Sequence, residues 1–317
     1  MADPTAETVA DKVADPGTRA TAGDATGGAT GGGTGVPALP APRRRPTGTG
    51  RKLAIGATAW VVAILFVLPY LEMFVTALRP ADQLTDDSYL PSEFQWSNFV
   101  DVWKDSTLGD NLKVSLIVCA LSTLLVVVVA LPAAYYTARR RFRGRGLFLL
   151  LVLVTQMFQP TSLLVGLYRE FFIFDLLDSM WALVLVNGAF NLAFSVWILT
   201  AYFSSIPVEL EEAAMIDGAS RLGALRRVTL PLAMPGIVTA VIFTFIAAWS
   251  EFVVALTLIT TPEKQPLTVG INNFLGVYEV QWQYLFAGSV IAIVPVVVLF
   301  AFIEKHVVSG LTAGSIK

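Results

Sequence analysis

Six stretches of this chain are each long and apolar enough to cross a lipid bilayer, which takes roughly 20 residues. They lie near residues 53–78, 112–136, 147–168, 180–203, 236–260 and 285–304. No other feature restricts the fold as strongly. Inside hydrocarbon no water satisfies a peptide group, so a spanning segment must be a helix or part of a closed barrel. Barrel strands would be about 10 residues long with alternating polarity, and these runs are longer and do not alternate. The expected fold is therefore an all-α integral membrane protein with six transmembrane helices. Composition agrees: 55% of residues are hydrophobic and only 15% charged, against roughly 25% charged in soluble domains.

Residues 1–52 differ from the rest. They contain no aromatic residue, no Ile and a single Leu, Leu39. Such a stretch buries too little apolar surface to offset chain entropy. It is expected to be a disordered N-terminal tail, leaving 53–317 as the membrane domain. One Cys (Cys119) and one His (His306) exclude an intrachain disulfide and a Cys/His metal site. No metal or cofactor is expected on this chain. The net charge of −2 gives no argument for nucleic acid.

Orientation follows from the basic residues. If the six runs alternate across the membrane, fifteen Lys and Arg fall beside the ends that share a side with the N-terminus, among them Arg139, Arg140, Arg141, Arg143 and Arg145. Five fall on the other side: Arg79, Lys104, Lys113, Arg169 and Lys264. The positive-inside rule puts both termini in the cytoplasm of a multi-pass cell-membrane protein. The run Arg139–Arg145 is expected to set topology and meet anionic lipid.

The connection between runs four and five, about residues 204–235, has internal order. Pro207 suits a first turn, and Glu209, Glu211 and Glu212 favour the positive end of a helix dipole. Gly218 suits a helix stop. A second short helix is expected from Ser220, an N-cap type, to just before Pro231. Spacing alone is equally compatible with a solvated amphipathic linker.

The same loop carries a family signature. Glu212-Ala213-Ala214, three residues, Gly218, nine residues, Val228, one residue, Leu230-Pro231 resembles the EAA loop of ABC importer permeases, with Val in place of Ile at 228. Glu212 to Ser220, Trp249-Ser250-Glu251-Phe252 and Gly310-Leu311-Thr312-Ala313-Gly314 are similar to the carbohydrate branch, the maltose/trehalose type. Ser250 stands where that branch usually has Asn or Asp. The resemblance runs from about residue 53 to the end and omits the tail.

It implies a transport subunit that is not itself an enzyme. Glu212, Ala213, Ala214, Asp217, Gly218, Leu230 and Pro231 would form the coupling loop, seated on a separate dimer of ATPase subunits that binds ATP and Mg. Glu212 would engage a basic group there. The chain has no GxxxxGK[ST] phosphate loop of its own. A second, homologous permease subunit and an extracytoplasmic solute-binding protein would complete an importer of a sugar or oligosaccharide. A non-carbohydrate solute and an ion-coupled secondary transporter are the alternatives. Glu251 is the sole carboxylate near a run's centre, thin support for ion coupling.

Polar side chains at membrane depth are costly and tend to face a cavity or another helix. Gln156 and Gln159 flank the middle of run three, Asn187 and Asn191 lie one turn apart in run four, and Trp249 and Glu251 sit near the middle of run five. Amides, a carboxylate and an aromatic face suit a sugar pathway. Interhelical packing is the competing reading.

Overall fold

The computed structural model describes residues 49–83, 91–276, 278 and 280–313, with side chains described as far as Phe302. The expected tail therefore lies outside the described residues up to 48, and so does the end of the terminal Gly310–Gly314 string. His306 lies beyond the described side chains.

Twelve α-helices follow one another among the described residues: α1 (Thr49–Ala77), α2 (Asn98–Lys104), α3 (Leu108–Arg139), α4 (Arg145–Thr155), α5 (Leu164–Ile173), α6 (Met180–Ser205), α7 (Glu209–Ile216), α8 (Arg221–Ala224), α9 (Leu230–Trp249), α10 (Val253–Leu258), α11 (Leu267–Asn272) and α12 (Trp282–Ala313). The one β pairing in this part is an isolated bridge, Leu275 to Val280. Because α1 starts at Thr49, the boundary expected at residue 52 falls inside a helix.

Among the described residues, five helical stretches are long and apolar enough to span a membrane: 52–77, 108–139, 180–205, 221–249 and 282–302. The remaining expected span, the third run, is different. Instead of one helix over 147–168, α4 stops at Thr155 and the chain bends by 86° before Pro160 and α5. Pro160 explains the break. Its ring disfavours helical geometry in the residue before it, and Gln159 is extended, at φ −78° and ψ 142°. The pair counts as a span only if its bent halves are taken together.

The fifth run also departs from expectation. The helix reaching back to Arg221 ends at Trp249, so Trp249, Ser250 and Glu251 lie at a helix end and not at the middle of a span over 236–260. A second short helix ending before Pro231 does not form either. α8 passes through a π-helical turn, Leu225–Thr229, directly into α9. In that turn the Leu230 N–H donates to the Leu225 carbonyl, five residues back. Widening the helix before Pro231 relieves the clash that a proline ring makes with the preceding turn.

α3, α6 and α9 carry the interior. Val126, Ala130 and Ala134 of α3 meet Val196, Leu199 and Phe203 of α6 and Ala233 and Ala240 of α9 in one apolar cluster. Small residues allow this close approach; a methyl on Gly236 would lie 2.4 Å from Tyr202 Cγ. A second cluster joins α3 and α6 to α10 and α11 through Val118, Leu183, Leu258 and Val269. Most of α1 from Leu53 to Leu71 is exposed apolar surface, suited to lipid or another membrane chain.

Candidate coupling loop and polar clasps

The loop after α6 is built as a helix–turn–helix. Pro207 sits two residues ahead of α7. Gly218 ends that helix in left-handed geometry at φ +91°, which a residue with a Cβ adopts only at a cost. Its N–H donates to the Met215 carbonyl, and the next N–H, of Ala219, to that of Ala214. Ser220 then caps α8, its hydroxyl accepting the Gly223 N–H at 3.1 Å. Gly218 and Ser220 thus take the positions read from sequence. Glu212, Ala213 and Asp217 are exposed on α7 or its end, and Ala214 is half-buried. Leu230 and Pro231 open α9, with Leu230 packed on the core.

The side chain that anchors this loop is Glu211, the neighbour of the signature Glu212. It is the one buried residue of α7. Arg139 Nε donates to Glu211 Oε1 at 2.8 Å, with both side chains more than nine-tenths buried. Thr229 Oγ1 donates to the same oxygen at 2.7 Å. The Tyr135 hydroxyl donates to Oε2 at 2.9 Å. Arg139 Nη1 donates in turn to the carbonyls of Phe203 and Ile206, at 2.8 and 2.9 Å. These lie at the end of α6, where carbonyls run short of intrahelical partners; the Phe203 carbonyl otherwise takes only a long bond, 3.4 Å, from the Ile206 N–H. Sequence reasoning assigned Arg139 to a lipid-facing basic run; the structure turns it inward. Beside this clasp an open cavity of about 520 Å³ lies between the end of α3, α7 and α8, walled by the clasp itself and by Tyr136, Arg140, Glu212, Met215 and Leu222.

Another clasp joins the α5–α6 turn to the segment after α10. Asp178 has a positive φ of 57°. Its Oδ1 accepts the N–H groups of Thr260 and Thr261 at 2.9 and 2.8 Å. Its Oδ2 accepts Lys264 Nζ at 2.8 Å and the Thr261 hydroxyl at 2.5 Å. Partial burial pushes this carboxyl up, but the bonds from Lys264, Thr261 and Thr260 outweigh it and hold Asp178 well below the usual range. Nearby, fully buried Asn111 of α3 donates to the carbonyls of Pro262 and Gln265 at 2.6 and 2.8 Å.

The six pathway candidates separate. Gln156 and Gln159 are exposed at the α4–α5 break. Gln156 Nε2 reaches the Phe190 carbonyl of α6 at 3.4 Å. That is the stretch holding Asn187, which is buried, and Asn191, which is half-buried and donates to the Asn187 carbonyl. A cavity of about 230 Å³ lies beside them, lined by Thr155, Phe158, Leu163, Ala189 and Phe190. Trp249 and Glu251 lie apart from this group in their contacts. The Trp249 indole stacks on Phe245 and donates to the Ala292 carbonyl of α12 at 3.2 Å. Glu251 caps α10, accepting the Val254 and Ala255 N–H groups at 2.7 and 2.9 Å.

Known proteins share this chain's pattern. It is 37% identical over 268 residues to the trehalose/maltose transport system permease protein MalG of Thermococcus litoralis, covering 84% of this chain and 96% of that one. It is 37% identical over 265 residues to the sulfoquinovosyl glycerol transport system permease protein SmoH of Agrobacterium fabrum, covering 83% and 92%. Among solved structures, a chain of a bacterial ABC transporter that imports the acidic polysaccharide alginate superposes with a TM-score of 0.69 at 21% identity, over 83% of this chain and 99% of that one. That likeness concerns the fold. Residues 120–312 match the family model described as binding-protein-dependent transport system inner membrane component, and the chain belongs to that family.

Proposed function

We propose that this chain is a membrane-spanning permease subunit of an ATP-driven importer, and that its solute is a sugar or oligosaccharide. The observation that carries the coupling half of this reading is the presentation of α7. Val208, Leu210, Met215 and Ile216 are exposed apolar residues on or beside an eight-residue helix. Such a helix is marginal by itself, and this surface suits burial against another protein. Glu212 and Asp217 supply acidic groups beside it. The partner is a separate ATPase dimer that binds ATP and Mg, on the cytoplasmic side favoured by the basic residues. A second permease subunit would cover exposed apolar helix surface, and an extracytoplasmic binding protein would deliver the solute.

The sugar reading rests on the relatives' transport of trehalose/maltose and sulfoquinovosyl glycerol. Exposed Gln156 and Gln159 offer the pathway amide donors and acceptors at the helix break, and Asn187 and Asn191, whose amide nitrogens bond carbonyls of α6, would offer their side-chain oxygens as acceptors. Trp249 and Glu251, with bonds of their own, would shape the pathway by holding α9, α10 and α12. The test is uptake of labelled sugars by the reconstituted complex of both permeases, ATPase and binding protein. Glu212→Ala or Gly218→Asp should leave membrane insertion intact and lower uptake. Normal uptake in both variants, or uptake surviving inactivation of the ATPase, would overturn the reading.

A further inference from the structure

We infer that Arg139 and Glu211 are positioning residues for transport: they form a clasp that carries motion of α7 into α3, α6 and α9. The inference rests on the coupling reading above and says how force would leave the loop. The single fully buried residue of α7 is Glu211, a carboxylate, with Ala214 half-buried on the same helix. The 520 Å³ cavity leaves the space between α7 and the end of α3 unfilled by packing. α7 packs on α8 and the π turn, but against the end of α3, where the cavity lies, it is held through that carboxylate.

The clasp is arranged to transmit. Its partners come from four places: Tyr135 and Arg139 at the end of α3, the Phe203 and Ile206 carbonyls at the end of α6, Glu211 on α7, and Thr229 in the π turn that opens α9. These are the ends of the three helices that make the core. A displacement of α7 pulls on all three through directional bonds of 2.7–2.9 Å. A buried ion pair is weak evidence for stability, because an apolar pair of similar volume often holds as well. What it adds here is a fixed register between α7 and the helix ends, which apolar contact would let slide. That difference separates a transmitting clasp from a merely structural one.

The experiment uses the complete transporter in proteoliposomes and reads three quantities: abundance, co-purification of the ATPase, and ATP hydrolysed per solute imported. Glu211→Leu alone strands a buried guanidinium and should lower abundance. Arg139→Met with Glu211→Leu should restore abundance and ATPase association, yet raise ATP consumed per solute by about fivefold or more, the lower end of ordinary coupling energies. Wild-type stoichiometry in that double variant would overturn the inference. If the double variant does not accumulate, Tyr135→Phe with Thr229→Val decides. It keeps the charge pair and removes two ties, and should raise ATP per solute about twofold; no rise overturns the inference. Glu212→Ala is the separate control. Unchanged ATPase association and uptake there would refute docking at α7, whatever the clasp variants do.

Discussion

Asp178→Asn is a sharp test of the clasp between the α5–α6 turn and the segment after α10. The substitution keeps shape and removes charge. Asn can still offer one oxygen to the Thr260 and Thr261 N–H groups, which lie 2.9 and 2.8 Å from Oδ1. Its amide nitrogen then stands where Oδ2 now accepts Lys264 and the Thr261 hydroxyl, so donor meets donor. A hydrogen bond to a charged group contributes about 1.5–3 kcal/mol. Lys264 is half exposed, so solvent screening takes the lower end, and about 1–2 kcal/mol of local opening energy should be lost. That is roughly a 5–30-fold faster amide exchange. The assay is hydrogen–deuterium exchange across 259–265 in the purified protein. The pH dependence has a fixed sign. Because the folded carboxyl is held below its ordinary value, its contribution is fully present above the unfolded Asp pKa of about 3.9. It disappears as pH falls through the lowered folded value. Wild-type protection from ionisation should thus be flat between neutral pH and about 4. Identical exchange in Asp178→Asn, or wild-type protection already lost near neutral pH, would refute this account.

Three further outcomes follow from other contacts. Gly236→Leu places atoms where even a Cβ meets Tyr202 and should cost about 1–3 kcal/mol, seen as a lower unfolding midpoint in detergent. Asn111→Ala strands the Pro262 and Gln265 carbonyls and should cost about 2–4 kcal/mol, with faster exchange confined at first to 262–272. Glu251→Ala uncaps α10; a loss of about 1 kcal/mol should speed exchange at Val254 and Ala255 before it alters α9.

The long helices were legible because apolar length and helical backbone satisfaction act locally. The turn at Gly218 and the cap at Ser220 were legible for the same reason. The breaks required more. Pro160 was visible in the sequence, yet a length criterion passes over it, and the bend appears only when Gln159 must be extended. Pro231 misled in the other direction, because a π turn three-dimensionally supported by Thr229 absorbs it. Glu211 and Glu212 show the limit most directly. Adjacent on one helix, they point about 100° apart, so one can be buried while the other is exposed. Which one depends on Arg139, 72 residues away, and no local pattern contains that. Arg139 falls among the basic residues that bias topology, yet its side chain is taken up by Glu211.

The Arg139 clasp and the Asn111 tie also bear on how such a fold can move. The core helices meet through small residues and aliphatic side chains, contacts that tolerate sliding within a narrow range. Directional bonds are concentrated instead at the ends: Arg139 and Glu211 at one end of α3, Asn111 near the other. α3 has 32 residues, so about 48 Å of helix separates its ends. A helix of that length, tied to α7 at one end and to the 262–265 segment at the other, can act as a strut. On the coupling reading, cutting the two ties should impair transport in different ways. Loss of the Arg139 clasp should waste ATP with the 262–265 segment still ordered. Loss of the Asn111 tie should disorder the 262–265 segment while α7 remains docked. Exchange data and ATP stoichiometry measured on both variants would separate these outcomes, and the same defect in both would refute the strut.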